Sequence, residues 1–260
     1  MALQSSDKAV HDHLSFSQVS QFLSCPLQHW LRRRFKPDFN AASLQFGKGF
    51  HAMQATFNQA VIEGRKTSKE ALLECFKAAW KCDLEIKFSK KESQEGIKTN
   101  ADAMAGFILK QAPGRIIAVE EPFRCIIAPG LIPIEGAFDI IEIKEQKLFL
   151  GDYKTCQKKP SPSSIDEDQL ILYRLAAERE GIIKAFRLPV VLEYRYITKS
   201  EHPELFPVRV QYSQSKARRL IEKCRVVDNA IRHNVAFPVK SWKCRNCGYS
   251  RLCSQWPDVP

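Results

Sequence analysis

Two carboxylates and a lysine form the sequence grouping best suited to chemistry. Asp139 lies in "EGAFDII", and "GDYKT" follows, with Asp152 and Lys154 two positions apart at the end of an apolar run. In a strand this spacing places both side chains on one face and Tyr153 on the other. A short hairpin would bring Asp139 alongside. Adjacent carboxylates suit Mg²⁺ or Mn²⁺, which can activate water, and Lys154 can orient that water or stabilise the transition state.

A predicted helix close behind this strand adds two polar side chains. Gln169 and Tyr173 in "DEDQLILYRLAAE" stand four residues apart and therefore share a helix face. Packed on the strand, this helix would point both toward Lys154, where they could hold the lysine or a DNA phosphate. Asp-x-Lys alone also fits a surface ion pair. Upstream, "FGKGFHAMQATF" places His51 on a helix, and a lone histidine is more often structural than a metal ligand.

Three cysteines, Cys244, Cys247 and Cys253, lie within "CRNCGYSRLC". A tetrahedral metal site or an iron-sulfur cluster normally has four protein ligands, so a fourth must come from elsewhere. Thiolates alone fit a 4Fe-4S cluster and zinc equally well. The remaining cysteines are scattered, and we predict that they are reduced buried thiols.

The positive charge of the chain is concentrated in two clusters. The formal net charge is +11, and one cluster near the N-terminus comprises Arg32, Arg33, Arg34 and Lys36. The second cluster spans residues 214–251, with only Glu222 and Asp228 among the acids, and its basic members are Lys216, Arg218, Arg219, Lys223, Arg225, Arg232, Lys240, Lys243, Arg245 and Arg251. Such clusters predict a nucleic-acid-binding surface, with solvated helix faces as the alternative.

The elements that must position these residues change character along the chain. "LSFSQVSQFLSCPLQHWLRRRF" predicts a kinked helix or helical hairpin, with Ser15 or Ser17 as N-cap and Cys25 at a junction set by Pro26. Helices over 45–63, 68–84 and 97–111 follow, with the exposed loop "KFSKKESQEG" between the last two. A three-stranded meander, a helix, two strands and a long basic helix come next.

These elements predict one α/β domain over residues 1–260. Residues 14–112 form a helical part, 113–213 the catalytic sheet and helix, and 214–260 the basic helix and cysteine cluster. No run approaches the ~18 apolar residues of a membrane span, and the first residues do not resemble a secretory signal. We therefore expect a cytoplasmic protein with reduced thiols and no membrane partner.

The motifs in their order resemble those of a known family. "LSFSQVSQFLSCP", "GKGFHAM", "VEEPF", "EGAFD", "GDYKT", "QLILY" and "CRNCGYSRLC" are similar to motifs of the PD-(D/E)XK nucleases of the RecB type, over about Leu14 to Cys253. The similarity is greatest to the iron-sulfur branch, which includes the AddB subunit, the Dna-two nuclease domain and the CRISPR-associated RecB-like nuclease. It implies a restriction-endonuclease-like core, in which helices flank a central mixed sheet, with an N-terminal helical region and a C-terminal iron-sulfur clasp.

The resemblance also implies roles for individual residues. The catalytic metal would be bound by His51, Asp139, Asp152 and the backbone carbonyl of Tyr153, and Lys154 would assist the water. Gln169 and Tyr173 match a Gln-x-x-x-Tyr motif. A 4Fe-4S cluster would be held by Cys25, Cys244, Cys247 and Cys253. Glu120 resembles a recurrent acidic position, but its neighbour Glu121 fits equally well, and neither is assigned to the site.

The function implied is that of an Mg²⁺- or Mn²⁺-dependent DNA nuclease. It would act as an exonuclease, or as an endonuclease on single-stranded or flapped DNA, in recombination and repair or in CRISPR adaptation. A helicase or a CRISPR-adaptation protein would be its partner, since the chain lacks a phosphate-binding P-loop. The cluster would fix the N-terminal arginine cluster beside the basic C-terminal helix, so that the two meet as one DNA path. The DNA-binding residues would be Arg32, Arg33, Arg34, Arg218 and Arg219. The alternative is a catalytically inactive iron-sulfur or zinc module that binds DNA ends.

Overall fold

The computed structural model describes residues 11–90 and 92–258. Residues 1–10, where we predicted no secretory signal, and residue 91 in the predicted loop lie outside this part. The helices are α1 (Phe16–Ser24), α2 (Pro26–Arg32), α3 (Ala42–Ile62), α4 (Lys69–Trp80), α5 (Gln94–Leu109), α6 (Asp168–Arg179), α7 (Ile182–Phe186), α8 (Gln214–Arg232) and α9 (Ser250–Cys253). The strands are β1 (Leu14–Ser15), β2 (Phe39–Ala41), β3 (Glu85–Lys87), β4 (Arg115–Cys125), β5 (Ile134–Lys144), β6 (Lys147–Cys156), β7 (Val190–Thr198) and β8 (Leu205–Val210).

The central sheet is mixed, as predicted. Strands β4, β5 and β6 form an antiparallel meander, β7 runs parallel to β6, and β8 is antiparallel to β7. The short β1 adds a parallel pairing at the start of β5. A parallel pair requires a crossover, which α6 and α7 supply between β6 and β7. The result is an α/β fold consistent with a restriction-endonuclease-like core.

Helices cover both faces of the sheet and divide the core into two main clusters. On one face, residues of α1, α6 and α8 pack with Phe138 and Leu150. On the other, α3, α4 and α5 pack with Ile140 and Tyr153. Strand β6 is therefore buried from both sides, which explains why its sequence is a continuous apolar run interrupted by the polar residues of the site.

The first two helices begin and end as their sequence predicts. Ser15 caps α1 in a capping box, in which its hydroxyl accepts from the Gln18 backbone and the Gln18 side chain accepts from the Ser15 backbone. Helix α1 ends at Ser24, and Pro26 is the first residue of α2. Cys25 therefore sits at the helix junction, with an extended backbone (φ −162°).

Three local features differ from the sequence prediction. The helix predicted to run to residue 84 ends at Trp80, because β3 follows and pairs with β2 in a separate small sheet. Helix α5 begins earlier, at Gln94, where Ser93 provides its N-cap. The five-residue α7 was not predicted, since it is too short to show a helical period. Among the described residues, no helix is both long enough and apolar enough to cross a membrane.

Candidate active site

The two candidate aspartates lie where strands β5 and β6 separate. Ile140 pairs with Gly151, and Asp139 and Asp152 are the next residues beyond that pair. The backbone N–H of Tyr153 donates to Asp139 Oδ2 at 3.1 Å. The Asp139 carboxylate thus takes the place of a backbone hydrogen-bond partner for β6. The two carboxylates face the space between the diverging strands.

Strand alternation separates the side chains of the Asp-Tyr-Lys segment as predicted. Asp152 is only 1% exposed, and Lys154 Nζ lies 2.6 Å from its Oδ2. The Tyr153 ring packs on the opposite face against Phe50, and its hydroxyl accepts from Arg195 Nη1 at 3.1 Å. The ammonium group of Lys154 is partly exposed and marks the open side of the site.

Helix α6 contacts the carboxylates rather than the lysine. Gln169 Nε2 donates to Asp152 Oδ1 at 2.6 Å, and the Tyr173 hydroxyl donates to Asp139 Oδ1 at 3.4 Å. Lys154 contacts the other oxygen of Asp152 and lines one groove with Gln169, so α6 faces the lysine side of the strand while its hydrogen bonds go to the carboxylates. The Tyr173 ring packs against aromatic rings of β4 and β5, which places its hydroxyl over Asp139.

His51 reaches the site from α3. Its Nδ1 lies 3.3 Å from Asp139 Oδ2. The nearby Gly49 allows α3 to approach α4, since a Cβ there would lie 2.5 Å from the Phe76 ring. Burial lowers the pKa of His51, which favours the neutral imidazole that ligates metals.

Glu120 belongs to the same group, although the sequence did not assign it. Its neighbours in β4 pair with the neighbours of Asp139 in β5, so the two acids lie opposite each other. Glu120 Oε1 is 3.9 Å from His51 Nδ1. Its backbone adopts φ 48°, an unusual conformation for a residue with a side chain, of the kind found at functional sites. The register of β4 on β5 thus selects Glu120 over Glu121.

The negative charges of the acids in this site repel one another when no cation is bound. Burial raises the pKa of Asp139 and of Asp152, and the charge of Asp139 raises the pKa of Asp152 further. Burial and the charges of these two aspartates raise the pKa of Glu120 to about 7. Asp152 Oδ2 forms its ion pair with Lys154 but has no well-directed hydrogen bond among the described residues.

A divalent cation fits this arrangement. His51, Glu120 and Asp139 each offer a ligand atom, and these atoms lie within 4.8 Å of one another. The closest group thus contains Glu120, whereas Asp152, assigned by the resemblance, lies beside it and is held by Gln169. An imidazole and carboxylates suit Mg²⁺ or Mn²⁺. We call these four residues with Lys154 the carboxylate site.

The four cysteines implied by the resemblance line one cavity of about 580 Å³. Cys25 lies at the α1–α2 junction, Cys244 and Cys247 lie within and after the 3₁₀ helix Trp242–Asn246, and Cys253 ends α9. All are free thiols. Burial and the neighbouring thiols raise the pKa of Cys247 and of Cys253, so a cation is needed to hold them as thiolates. We call these four residues the cysteine site.

The two ends of the described chain meet around the cysteine site. The Leu27 N–H donates to the Phe237 carbonyl at 3.0 Å, and the Asp38 N–H donates to the Gly248 carbonyl at 2.8 Å. Arg251 forms an ion pair with Asp38 at 2.9 Å. A small apolar cluster joins the same segments, and its members are Leu27, Leu31, Tyr249 and Leu252.

The N-terminal arginine cluster lies beside the C-terminal end of the basic helix α8. Arg34 donates to Asn234 at 3.1 Å, just beyond the end of α8. Arg218 and Arg219 are exposed in the first turns of α8, and Arg219 is about 20 Å along the helix axis from Arg232 at 1.5 Å per residue. The N-terminal arginines, of which Arg32 is exposed, thus lie near the far end of α8 from Arg218 and Arg219.

The match to known families agrees with this geometry. An α/β fold with clustered carboxylates and a lysine between diverging strands defines a candidate metal-dependent hydrolase. A family model described as the PD-(D/E)XK nuclease superfamily matches residues 13–254. The chain belongs to the PD-(D/E)XK nuclease superfamily, whose members use divalent metal ions.

Comparison with solved structures shows the shared fold. The chain is similar to a crystal structure from Eubacterium rectale described as "Putative exonuclease", with 11% sequence identity and a TM-score of 0.55 over 100% of this chain and 95% of that chain. A crystal structure of SSO0001 is 13% identical, with a TM-score of 0.33 over 94% of each chain, too low to support an argument. No curated protein matches.

Proposed function

We propose that the protein is a metal-dependent DNA nuclease that hydrolyses phosphodiester bonds at single-stranded or frayed ends. It would act as an exonuclease, with endonuclease action on single-stranded or flapped DNA as the second mode. The observation that carries the proposal is the convergence of Asp139, Asp152 and Lys154 with His51 and Glu120 on one point. Membership of the nuclease superfamily and the exonuclease description of the Eubacterium rectale protein support it.

Each residue of the carboxylate site has a separate task. His51, Glu120 and Asp139 would hold Mg²⁺ or Mn²⁺, with Asp152 and the Tyr153 carbonyl beside them. A bound divalent ion supplies a Lewis acid for the phosphate oxygen and lowers the pKa of water. The Lys154 ammonium, 2.6 Å from Asp152, would orient the attacking water or stabilise negative charge on the phosphate.

The residues of α6 would position the carboxylates. Gln169 donates to Asp152 Oδ1 and Tyr173 donates to Asp139 Oδ1, so α6 fixes one oxygen of each carboxylate. Two buried carboxylates in contact repel each other unless a cation neutralises them. Their raised pKa values therefore support occupancy by a metal ion.

The second part of the proposal assigns a 4Fe-4S cluster to the cysteine site and the protein to the RecB/AddB-like iron-sulfur branch. In tetrahedral zinc, Zn–S bonds of about 2.3 Å place sulfur atoms ~3.8 Å apart. In a 4Fe-4S cluster each thiolate binds a different iron, and the resemblance to the iron-sulfur branch favours this group over zinc. The cluster would act as a clasp, since it closes a loop of more than ~200 residues.

The family resemblance suggests a role in recombination and repair or in CRISPR adaptation. The sequence contains no phosphate-binding P-loop, so unwinding would come from a helicase partner, or the protein would work with CRISPR-adaptation proteins in the cytoplasm. Residues 1–260 would form a single nuclease domain, with Arg32, Arg33 and Arg34 contacting DNA at one end of α8 and Arg218 and Arg219 at the other.

The test is cleavage of end-labelled single-stranded and double-stranded DNA with Mg²⁺ or Mn²⁺. We expect the wild-type protein to degrade single strands, and Asp152→Ala and Lys154→Ala to be at least about 100-fold slower. Omission of the divalent ion should stop cleavage. Equal inactivity of all three proteins would favour a DNA-end-binding module without catalysis and would contradict the proposal.

A further inference from the structure

A polar groove of about 410 Å³ connects the carboxylate site with the cysteine-site end of the molecule. Lys154 and Gln169 of the carboxylate region line it together with residues of α1 and α2. Arg32 and Lys243 also line it, and Lys243 Nζ donates to Ser24 Oγ at 3.0 Å beside Cys25. The groove is therefore continuous from the residue proposed to orient water to the segment that carries Cys244.

The α1 side of this groove is a stripe of neutral hydrogen-bonding side chains. Its members stand at positions i, i+3, i+4 and i+7 and so share one helix face, and they are Ser17, Ser20, Gln21 and Ser24. The opposite face carries Val19 and Phe22 into the core. The side chains of Ser20 and Gln21 have no hydrogen-bond partner among the residues that the structure describes. Packing and capping do not explain this stripe.

An exposed aromatic residue is the sequence neighbour of the groove-lining Lys243. Trp242 is 79% exposed and directly precedes Lys243 in the same 3₁₀ helix. Exposed indole rings beside cationic side chains are the usual means of stacking the bases of a single strand. Hydroxyl and amide side chains hydrogen-bond phosphate and sugar oxygens without reading sequence.

We infer that this groove is the path of a single DNA strand, which stacks a base on Trp242 and contacts the α1 hydroxyl and amide groups on its way to Lys154. The inference rests on the proposed function and specifies its substrate as an unpaired strand. The stripe from Ser17 to Ser24 rises about 10 Å, enough for about three stacked nucleotides. Arg32 and Lys243 supply the positive charge that neutral α1 lacks.

Fluorescence anisotropy tests this path with labelled oligothymidine in Ca²⁺ or EDTA, so that binding is measured without cleavage. We expect Trp242→Ala to weaken binding about 10-fold, since stacking contributes ~1–3 kcal/mol per base. Ser20→Glu should weaken it by a similar factor, because a carboxylate would face the phosphates. The matched controls are Trp256→Ala, which removes a 41% exposed indole, and Ser43→Glu at an exposed position of α3. Both should change the Kd less than twofold.

The outcomes separate this inference from the proposed function. Wild-type binding by Trp242→Ala and Ser20→Glu overturns the path even if the protein cleaves DNA. Absence of oligothymidine binding by the wild-type protein, or equal weakening of duplex binding by both variants, also overturns it. If the expected pattern of binding appears but wild type never cleaves with Mg²⁺ or Mn²⁺, the path stands and the proposed nuclease activity fails.

Discussion

The carboxylate site and the cysteine site are built in opposite ways. The carboxylate site stands on long, paired strands, and its two aspartates are largely buried and are held by Gln169 and Tyr173. The cysteine site is made of short segments, a 3₁₀ helix and the four-residue α9, and Cys244 is exposed. Its segments are held by hydrogen bonds between chain ends and by a small apolar cluster.

This difference suggests that the carboxylate site is preorganised, whereas the cysteine site depends on its cofactor. The fold core fixes the carboxylates before any metal binds, so the site has the geometry needed for catalysis at the cost of electrostatic repulsion. The cysteine site has little core of its own, and its thiols have raised pKa values. We therefore expect changes at the carboxylate site to affect rate, and changes at the cysteine site to affect stability.

The largest effect should come from Asp139→Asn. The amide oxygen can still accept from Tyr153 N–H, so the fold is kept, but one metal-binding charge is lost. We expect cleavage to fall about 1,000-fold while the melting temperature stays the same or rises, because a buried charge is removed. The control is Asp102→Asn, at an exposed position of α5. A variant that loses stability in parallel with activity would contradict preorganisation.

Next in size is the effect of Cys247→Ser. We expect loss of iron from protein purified without oxygen, together with a fall in the free energy of unfolding of about 3 kcal/mol, because a cross-link between distant chain segments is lost. Iron content, visible absorbance and denaturant unfolding measure this change. The control is Cys75→Ser in α4, where the thiol faces Thr56 of α3, and this variant should keep its iron. A Cys247 variant that loses iron yet keeps wild-type stability and cleavage would refute the clasp.

Sequence periodicity predicted part of the carboxylate site, and the rest depends on how the strands and helices pack. Strand alternation placed Asp152 and Lys154 together, and helical spacing placed Gln169 and Tyr173 on one face. The carboxylate partners of that face could not be predicted, because they depend on how α6 packs on the aromatic rings of the sheet. Glu120 could not be chosen over its acidic neighbour without the register of β4 on β5.

The cysteine site shows a sharper limit of sequence reasoning. Local spacing identified Cys244, Cys247 and Cys253 as a group, and the proline after Cys25 correctly predicted a helix junction. Nothing local links Cys25 to a group more than ~200 residues away, and only the family resemblance made that link. The small sheet of β2 and β3 was missed for the same reason, since its strands are three residues long and pair across α3 and α4.

A smaller effect should distinguish Glu120 from its neighbour. Glu120→Gln removes a carboxylate from the His51 group, and we expect cleavage at limiting Mg²⁺ to fall about 10-fold with recovery at high Mg²⁺. Glu121→Gln, one residue away and exposed, is the matched control and should behave as wild type. Equal effects of the two substitutions would show that Glu120 is not a ligand.

The smallest effect should appear behind the carboxylate site. The Tyr153 hydroxyl accepts from Arg195, which also forms an ion pair with buried Glu142. Tyr153→Phe removes one hydrogen bond to a charged donor, so we expect a loss of about 1 kcal/mol in the free energy of unfolding. Tyr212→Phe is the control with no expected change. An unchanged stability of Tyr153→Phe would show that this contact does not support the strand.

The most direct test of the division between the two sites is Asp152→Asn, assayed for iron content and for cleavage of an end-labelled single strand in the same preparation. The substituted side chain would keep the size and one hydrogen-bonding oxygen of the native aspartate but not its charge. We predict wild-type iron content, wild-type melting temperature and cleavage reduced about 1,000-fold. Wild-type cleavage by this variant, or loss of iron along with cleavage, would contradict the account.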